Sequence, residues 1–285
     1  MNGIINVYKP AGMSSNFVLT KLKKQLDIKK MGHLGTLDPL ASGVLPVMIN
    51  KGTKLFEFYL NKNKVYRAVF CFGKQTDTLD SEGKVIKTCN YIPTKDEIEK
   101  QMKVLVGKIS QIPPNFSAKN INGKRAYDLA RKGELFELKP KEVEIFDFKL
   151  ISQISKNSFL FEIACSSGTY IRSLARDLGN LTGSCAFMGA LIRTKSGNFD
   201  ILESTLFKNL TKENCFDKII RLEDLLENQK RIDVEDEFFK QITNGVKLKV
   251  DFEDAKNVVV YCKNTLIGIG NVKNHLLSIS TNLHN

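Results

Sequence analysis

The chain has 285 residues, of which 42% are hydrophobic and 26% charged; that is material for one large domain with a small appendage, and no apolar run is long enough to cross a bilayer. Lys and Arg number 43 against 31 Asp and Glu, a net charge of +12, which attracts polyanions at long range but equally suits a generally basic proteome, so motifs must decide. The six cysteines (Cys71, Cys89, Cys165, Cys185, Cys215 and Cys262) stand singly without a C-x-x-C pair, and the three histidines (His33, His275 and His284) lack metal-ligand spacing. This predicts mostly buried reduced thiols and no metal site. Met1 to Tyr8 alternates and does not read as a secretory leader, so a cytoplasmic location is expected.

In chain order, Gly3 to Tyr8 reads as a strand, and Ser14 or Ser15 as the cap of a helix to about Leu26 with Phe17, Val18, Leu22 and Leu26 on one face. Residues 32 to 43, GHLGTLDPLASG, hold three glycines and a proline. They exclude regular structure, and with one His and one Asp they form a candidate active-site loop. Val44 to Ile49 reads as a buried strand, Thr53 to Leu60 as a short helix, and Val65 to Phe72 as a strand with Tyr66, Ala68, Phe70 and Phe72 on one face. A helix is predicted over Thr94 to Val106, a hairpin at Asn120 to Lys124 turning on Asn122-Gly123, a strand at Phe159 to Cys165, and a helix opened by Thr169 and ended by Gly179. Beyond a linker around Arg221 to Lys230, whose Leu222, Leu225 and Leu226 also have the spacing of a helix, a short helix at Val234 to Thr243 and strands at Val258 to Cys262 and Leu266 to Val272 read as a separate small domain. The expected division is residues 1–220 and 231–285. Strands and helices interleave without a βα period, which predicts an α+β fold with a mixed, largely antiparallel sheet and flanking helices.

GHLGTLDPLASG resembles the catalytic motif of the TruB and Cbf5 branch of pseudouridine synthases. Further blocks follow in that family's order: KPAGMSS at 9–15, VYRAVFCFGKQTDTLD at 65–80, PPNFSAKNINGKRAYDLAR at 113–131, SSGTYIRSLARDLG at 166–179 and LIRTKSGNF at 191–199. Departures lie at Ser14, Ser167 and Ile192, where Thr, Lys and Arg are more usual, and none falls on a residue assigned to catalysis. The resemblance implies the pseudouridine synthase fold with a small PUA-like RNA-binding domain. It also implies the stand-alone bacterial type, because no larger C-terminal domain with basic tails of the Cbf5 kind follows. The implied activity is isomerisation of uridine 55 in the tRNA T-loop by a monomer needing no cofactor, membrane or obligate protein partner.

Pseudouridine formation breaks the uracil N1 to ribose C1′ bond and joins C5 to C1′. It requires an anion beside C1′ and a group to manage protons. The resemblance assigns the anion to Asp38, its ion-pair partner to Arg172 and the stacking tyrosine to Tyr66. It makes His33 a residue holding the extruded base's RNA, Leu191 the floor under the uracil, and Lys9, Lys119, Arg125 and Arg131 candidate phosphate contacts. From spacing alone Asp38 could equally be a turn residue, Arg172 a solvated helix arginine and Tyr66 a core aromatic. A guide-RNA-dependent synthase and a non-catalytic tRNA chaperone are the rival functions.

Overall fold

The computed structural model describes residues 2–60, 62–117, 120–121, 123–131, 134 and 136–284. Its centre is an 11-stranded mixed sheet, and a 5-stranded sheet covers one of its faces. Across the large sheet run Thr205–Leu206, Gly3–Lys9, Ser42–Ile49, Ala186–Ser196, Lys64–Phe72, Ser158–Cys165, Lys141–Ser155 and Gly107–Gln111. Only the first of these contacts and the junction of Ser42–Ile49 with Ala186–Ser196 are parallel. The α+β class with a mixed, largely antiparallel sheet is therefore the one the irregular interleaving predicted.

Both faces of the middle strands are buried, and the period-2 alternation sorts their residues. Ile5, Val7, Leu45, Val47 and Ile49 point toward the helices Ser15–Leu26, Lys95–Met102 and Ile171–Leu181, joining Val18, Leu22, Ile98, Leu174 and Leu178 in one cluster. Ile4, Val44 and Met48 point the other way and meet Val259, Leu266, Ile269 and Leu283 of the second sheet. That sheet runs Arg231–Val234, Ala255–Cys262, Thr265–Lys273, Leu276–Asn282 and Leu248–Lys249. A buried Leu, Ile or Val contributes roughly 1.5–3 kcal/mol, so this shared cluster ties the C-terminal sheet firmly to the strands beneath it.

Several local expectations need correction. Phe17 stays 44% exposed while Val18, Leu22 and Leu26 alone form the buried face; Ser14 caps the helix by accepting from the Phe17 amide at 3.1 Å. Gly179 does not end its helix, which continues to Leu181. A Cβ there would stand 2.6 Å from the Ala186 amide, so that glycine allows the helix to touch a strand, and Gly183 at φ +72° makes the exit. The leucine spacing within the segment read as a linker does form a helix, Leu222–Leu226, which buries both its end leucines, and just before it Ile219–Arg221 pairs with Gly3–Ile5. Val234, expected to begin a helix, instead ends the strand Arg231–Val234, and the α-helix is confined to Phe239–Thr243 after a 3-10 turn at Asp236–Phe238. Cys89 and Cys185 are joined as a disulfide, their Cα atoms 5.9 Å apart, because Gly73 accepts from the Cys89 amide and donates to the Cys185 carbonyl. Cys71, Cys165, Cys215 and Cys262 are free. Among the described residues, no helix is long and apolar enough to span a membrane and no three His, Cys, Asp or Glu converge as metal ligands would.

Candidate active site

A cleft of about 270 Å³ opens where the loop before Ser42 meets the strands Lys64–Phe72 and Ala186–Ser196. The strand that follows the loop, Ser42–Ile49, touches Ala186–Ser196 over only two residue pairs, Ile192 with Ser42 and Arg193 with Gly43. Gly43, at φ +107°, admits that contact: a Cβ there would lie 2.2 Å from the Arg193 carbonyl oxygen.

The loop is held by side chains from the KPAGMSS segment, which explains why the two motifs occur together. Ser15 Oγ accepts from the Leu37 amide at 2.8 Å and donates to its carbonyl at 2.9 Å, and the Gly12 amide donates to the Pro39 carbonyl at 2.8 Å. Lys9 is wholly buried, its ammonium donating to the carbonyls of Pro10 at 2.8 Å, Met13 at 2.5 Å and Pro39 at 3.3 Å. Burial pushes its pKa down to about 8, partly offset by the Asp38 carboxylate. Lys9 therefore does not fit the expectation of a surface phosphate contact, because its donors are spent on the backbone and no face of it meets solvent. Lys9→Met removes the ammonium from the Pro10 and Met13 carbonyls, while Pro39 keeps the Gly12 amide, and we expect a stability loss of about 1–3 kcal/mol. A thermal melt with no shift would show that the loop holds itself.

Asp38 opens a turn that the Ala41 amide closes on its carbonyl at 3.1 Å. Its carboxylate is paired in bidentate fashion: Arg172 Nε to Oδ2 at 2.9 Å and Nη2 to Oδ1 at 3.0 Å. Arg172, in the first turn of its helix, is buried, and its remaining nitrogen, Nη1, donates to the Thr78 carbonyl at 3.1 Å and lies 3.4 Å from Asp80 Oδ2. Asp80 is itself buried and accepts from Thr78 Oγ1 and the Glu82 amide. Burial raises the Asp38 pKa above the ordinary carboxylate value, Arg172 opposes the rise, and Asp80 adds to it. A fork of this kind, anchored at both ends, aims one carboxylate oxygen pair while a third of the Asp38 side chain stays open to the cleft.

Tyr66 and Leu191 wall the cleft, each 7% exposed. They bring together a ring and an aliphatic side chain facing the carboxylate. Burial pushes the Tyr66 hydroxyl up to about 12, against the influence of the Arg193 guanidinium. His33 is placed near this group but not on the wall of the cleft: it lies in the strand Met31–His33 opposite Val47, and its Nδ1 is buried without a hydrogen-bond partner among the described residues. Burial, then Arg193, lowers its pKa, so the ring is neutral at pH 7. Lys119 and the side chains of Arg125 and Arg131 lie outside the described residues.

Four residues of the site were not singled out from the sequence. Arg193 is fully buried and donates to the carbonyls of Val44 at 2.7 Å and Gly35 at 3.0 Å, tying both sides of the loop to the sheet. Lys64 lines the cleft two residues before Tyr66, with burial pushing its pKa down to about 8. Tyr170 also faces it, its backbone fixed by the buried Gln111 amide, which accepts from the Tyr170 N–H at 2.8 Å and donates to its carbonyl at 3.2 Å. Asp80 is the fourth. Each lies inside a motif or next to one, and for Arg193, Lys64 and Asp80 a charged residue at an inward-facing strand or loop position was the available signal, whereas for Tyr170 only its place in the 166–179 motif was.

This geometry agrees with what the chain is similar to. The model of the TruB family pseudouridylate synthase (N terminal domain) matches residues 23–171. A protein named tRNA pseudouridine synthase B from Clostridium acetobutylicum is 39% identical over 278 residues, 95% of this chain and 96% of that protein. Its namesake from Clostridium tetani is 41% identical over 95% of each, and one from Borrelia garinii is 40% identical over 87% of each. Among solved structures, one described as a Cbf5-Nop10-Gar1 complex superposes with a TM-score of 0.70 at 26% identity, covering 95% of this chain and 78% of that one. Another, an H/ACA RNP bound to a substrate RNA containing 2′-deoxyuridine, has a TM-score of 0.73 at 23% identity over 99% of this chain and 85% of that one, and shows the shared fold. With the family model covering half of its length and relatives matching nearly all of it, the chain belongs to the TruB family of pseudouridylate synthases.

Proposed function

We propose that the chain isomerises uridine 55 in the T-loop of tRNA to pseudouridine. The observation that carries this is the Asp38–Arg172 pair, a bidentate carboxylate held beside a cleft walled by Tyr66 and Leu191. It stands in a chain whose relatives are named for that reaction on tRNA.

The reaction is an isomerisation: the N1–C1′ bond breaks, the uracil turns, C5 bonds to C1′, and the hydrogen on C5 is replaced by one on N1, so no atom is gained or lost. The base must leave its stack to reach a cleft of this size, at an unstacking cost of a few kcal/mol. Tyr66 then covers one face of the uracil by stacking and Leu191 supports it from the apolar side. Asp38 faces C1′, where an anion either attacks or stabilises the positive charge that develops as the glycosidic bond opens. Arg172 keeps that anion ionised in a site that excludes water. A tyrosine hydroxyl at about 12 is a poor base near neutrality, so Tyr66 serves in its neutral form. His33 contacts the RNA around the extruded nucleotide. Arg125, Arg131 and Lys119 contact phosphates, and the C-terminal sheet, residues 231–285, serves as a PUA-like RNA-binding module. The catalytic machinery falls in residues 1–220, and the protein acts as a cytoplasmic monomer.

Incubating the purified chain with an unmodified tRNA transcript, without added RNA or protein, and mapping pseudouridine by chemical sequencing tests the reading. Modification in the T-loop is expected. Turnover only after adding a guide RNA and partner proteins would favour a guide-dependent enzyme, and tight binding with no pseudouridine a chaperone.

A further inference from the structure

Lys64, on the wall of the cleft, donates its ammonium to the Lys62 carbonyl at 3.0 Å, which ties the Lys62 backbone to that wall. The Lys62 side chain is exposed. It lies over the Phe58 ring, its ammonium 5.4 Å from the centroid, and helps to line a second pocket of about 420 Å³ at the junction of the two sheets. Lys230 and Lys256 line the same pocket from the C-terminal side, against a single carboxylate, Glu57.

These three lysines come from separate elements, and the backbone of each is fixed. The Lys62 amide donates to the Tyr59 carbonyl, and the Tyr59 hydroxyl donates across the junction to the Leu225 carbonyl at 2.7 Å. The Lys230 carbonyl accepts from the Val259 amide at 2.7 Å. Lys256 sits in a bulge between Ala255 and Val258, where Asn257 takes φ 57° and donates its amide to Asn271 Oδ1 at 3.0 Å. None of the three lysines joins an ion pair among the described residues. Concave walls focus the field of like charges, which repel one another until an anion with several charges enters. A phosphodiester backbone has that charge pattern, and the Phe58 ring and the Gln229 and Asn257 amides on the same wall offer a stacking face and hydrogen bonds.

We propose that this pocket binds the substrate's RNA backbone as it leaves the cleft, with Lys62 on a phosphate flanking the reacting nucleotide and Lys230 and Lys256 on phosphates beyond it. The assignment rests on the reading of the cleft as the site of tRNA pseudouridylation.

The test compares the full chain with the triple variant K62Q/K230Q/K256Q, and with a control, K100Q/K103Q/K156Q, that loses the same charge near the opposite edge of the large sheet. Affinity for an unmodified tRNA transcript is measured across salt concentrations, and the single-turnover rate at saturating enzyme. The pocket variant should bind at least roughly tenfold more weakly, with a salt slope reduced by about two, and should react within about twofold of the unaltered chain once saturated. The control should retain most of its affinity. An unchanged slope in the pocket variant, or equal weakening in the control, overturns the proposal. Because all three side chains are exposed, the variant should fold; if its melt is lowered, K62R/K230R/K256R must restore binding, and failure to do so also counts against the pocket. If the unaltered chain forms no pseudouridine, the reading of the cleft fails; turnover with an unaffected slope sinks the pocket alone.

Discussion

Replacing Asp38 with Asn is expected to lower the single-turnover rate by roughly a thousandfold or more while tRNA affinity stays within a few fold. The amide keeps the shape of the carboxylate and removes the anion from beside C1′. The fold should tolerate the change, because Arg172 retains Asp80 and the Thr78 carbonyl as partners and is not left as an uncompensated buried charge. Affinity should survive because the groups proposed for RNA contact lie elsewhere. Rapid-quench kinetics with enzyme in excess, together with a binding isotherm, measure the two effects separately. Residual activity within tenfold of the unaltered chain would remove Asp38 from the chemistry and return it to the role of a turn residue.

How much of this was legible in the sequence depends on the range of the interaction. The strand Lys64–Phe72 was predicted almost to its ends, because alternation places Tyr66, Ala68, Phe70 and Phe72 on a buried face and that pattern is local. The loop was legible as irregular over residues 34–41 from its glycines and proline, whereas Gly32 and His33 at one end and Ser42 and Gly43 at the other join strands; its shape was not legible, being set by Lys9, Ser15 and Arg193, residues that reach it from as far away as position 193. From the sequence Lys9 is a candidate phosphate contact. Its burial follows from three carbonyls that converge only after the chain folds. The 15-residue strand Lys141–Ser155 went unpredicted because much of it is exposed and charged and its alternation is broken by bulges at its pairing with Ser158–Cys165. Likewise Asp80 ends the 65–80 motif without anything local to set it apart from Asp77; the arrival of Arg172 from a helix 92 positions later makes it a second anchor for the guanidinium.

That double anchoring bears on how Arg172 acts. Burial raises the Asp38 pKa and Arg172 opposes it, and the ionised carboxylate is the form that the chemistry needs. The sign follows directly: a raised pKa means that activity is lost, as pH falls, at a higher pH than for a free aspartate, and removing the guanidinium moves that acid limb higher still. Arg172→Met should therefore lose activity by roughly a hundredfold or more near neutrality and recover part of it as pH rises. Arg172→Lys should rescue only partly: an ammonium supplies the charge, but it cannot span both Asp38 oxygens while also reaching the Thr78 carbonyl and Asp80. If the pair acts as a unit, adding Asp38→Asn to Arg172→Met should cost little beyond the worse single change, since the guanidinium has no carboxylate left to tune. The measurement is a set of single-turnover pH–rate profiles for both single variants and the double on one tRNA. Multiplicative losses with an unshifted acid limb would mean that Arg172 works elsewhere, most simply on a phosphate of the bound RNA.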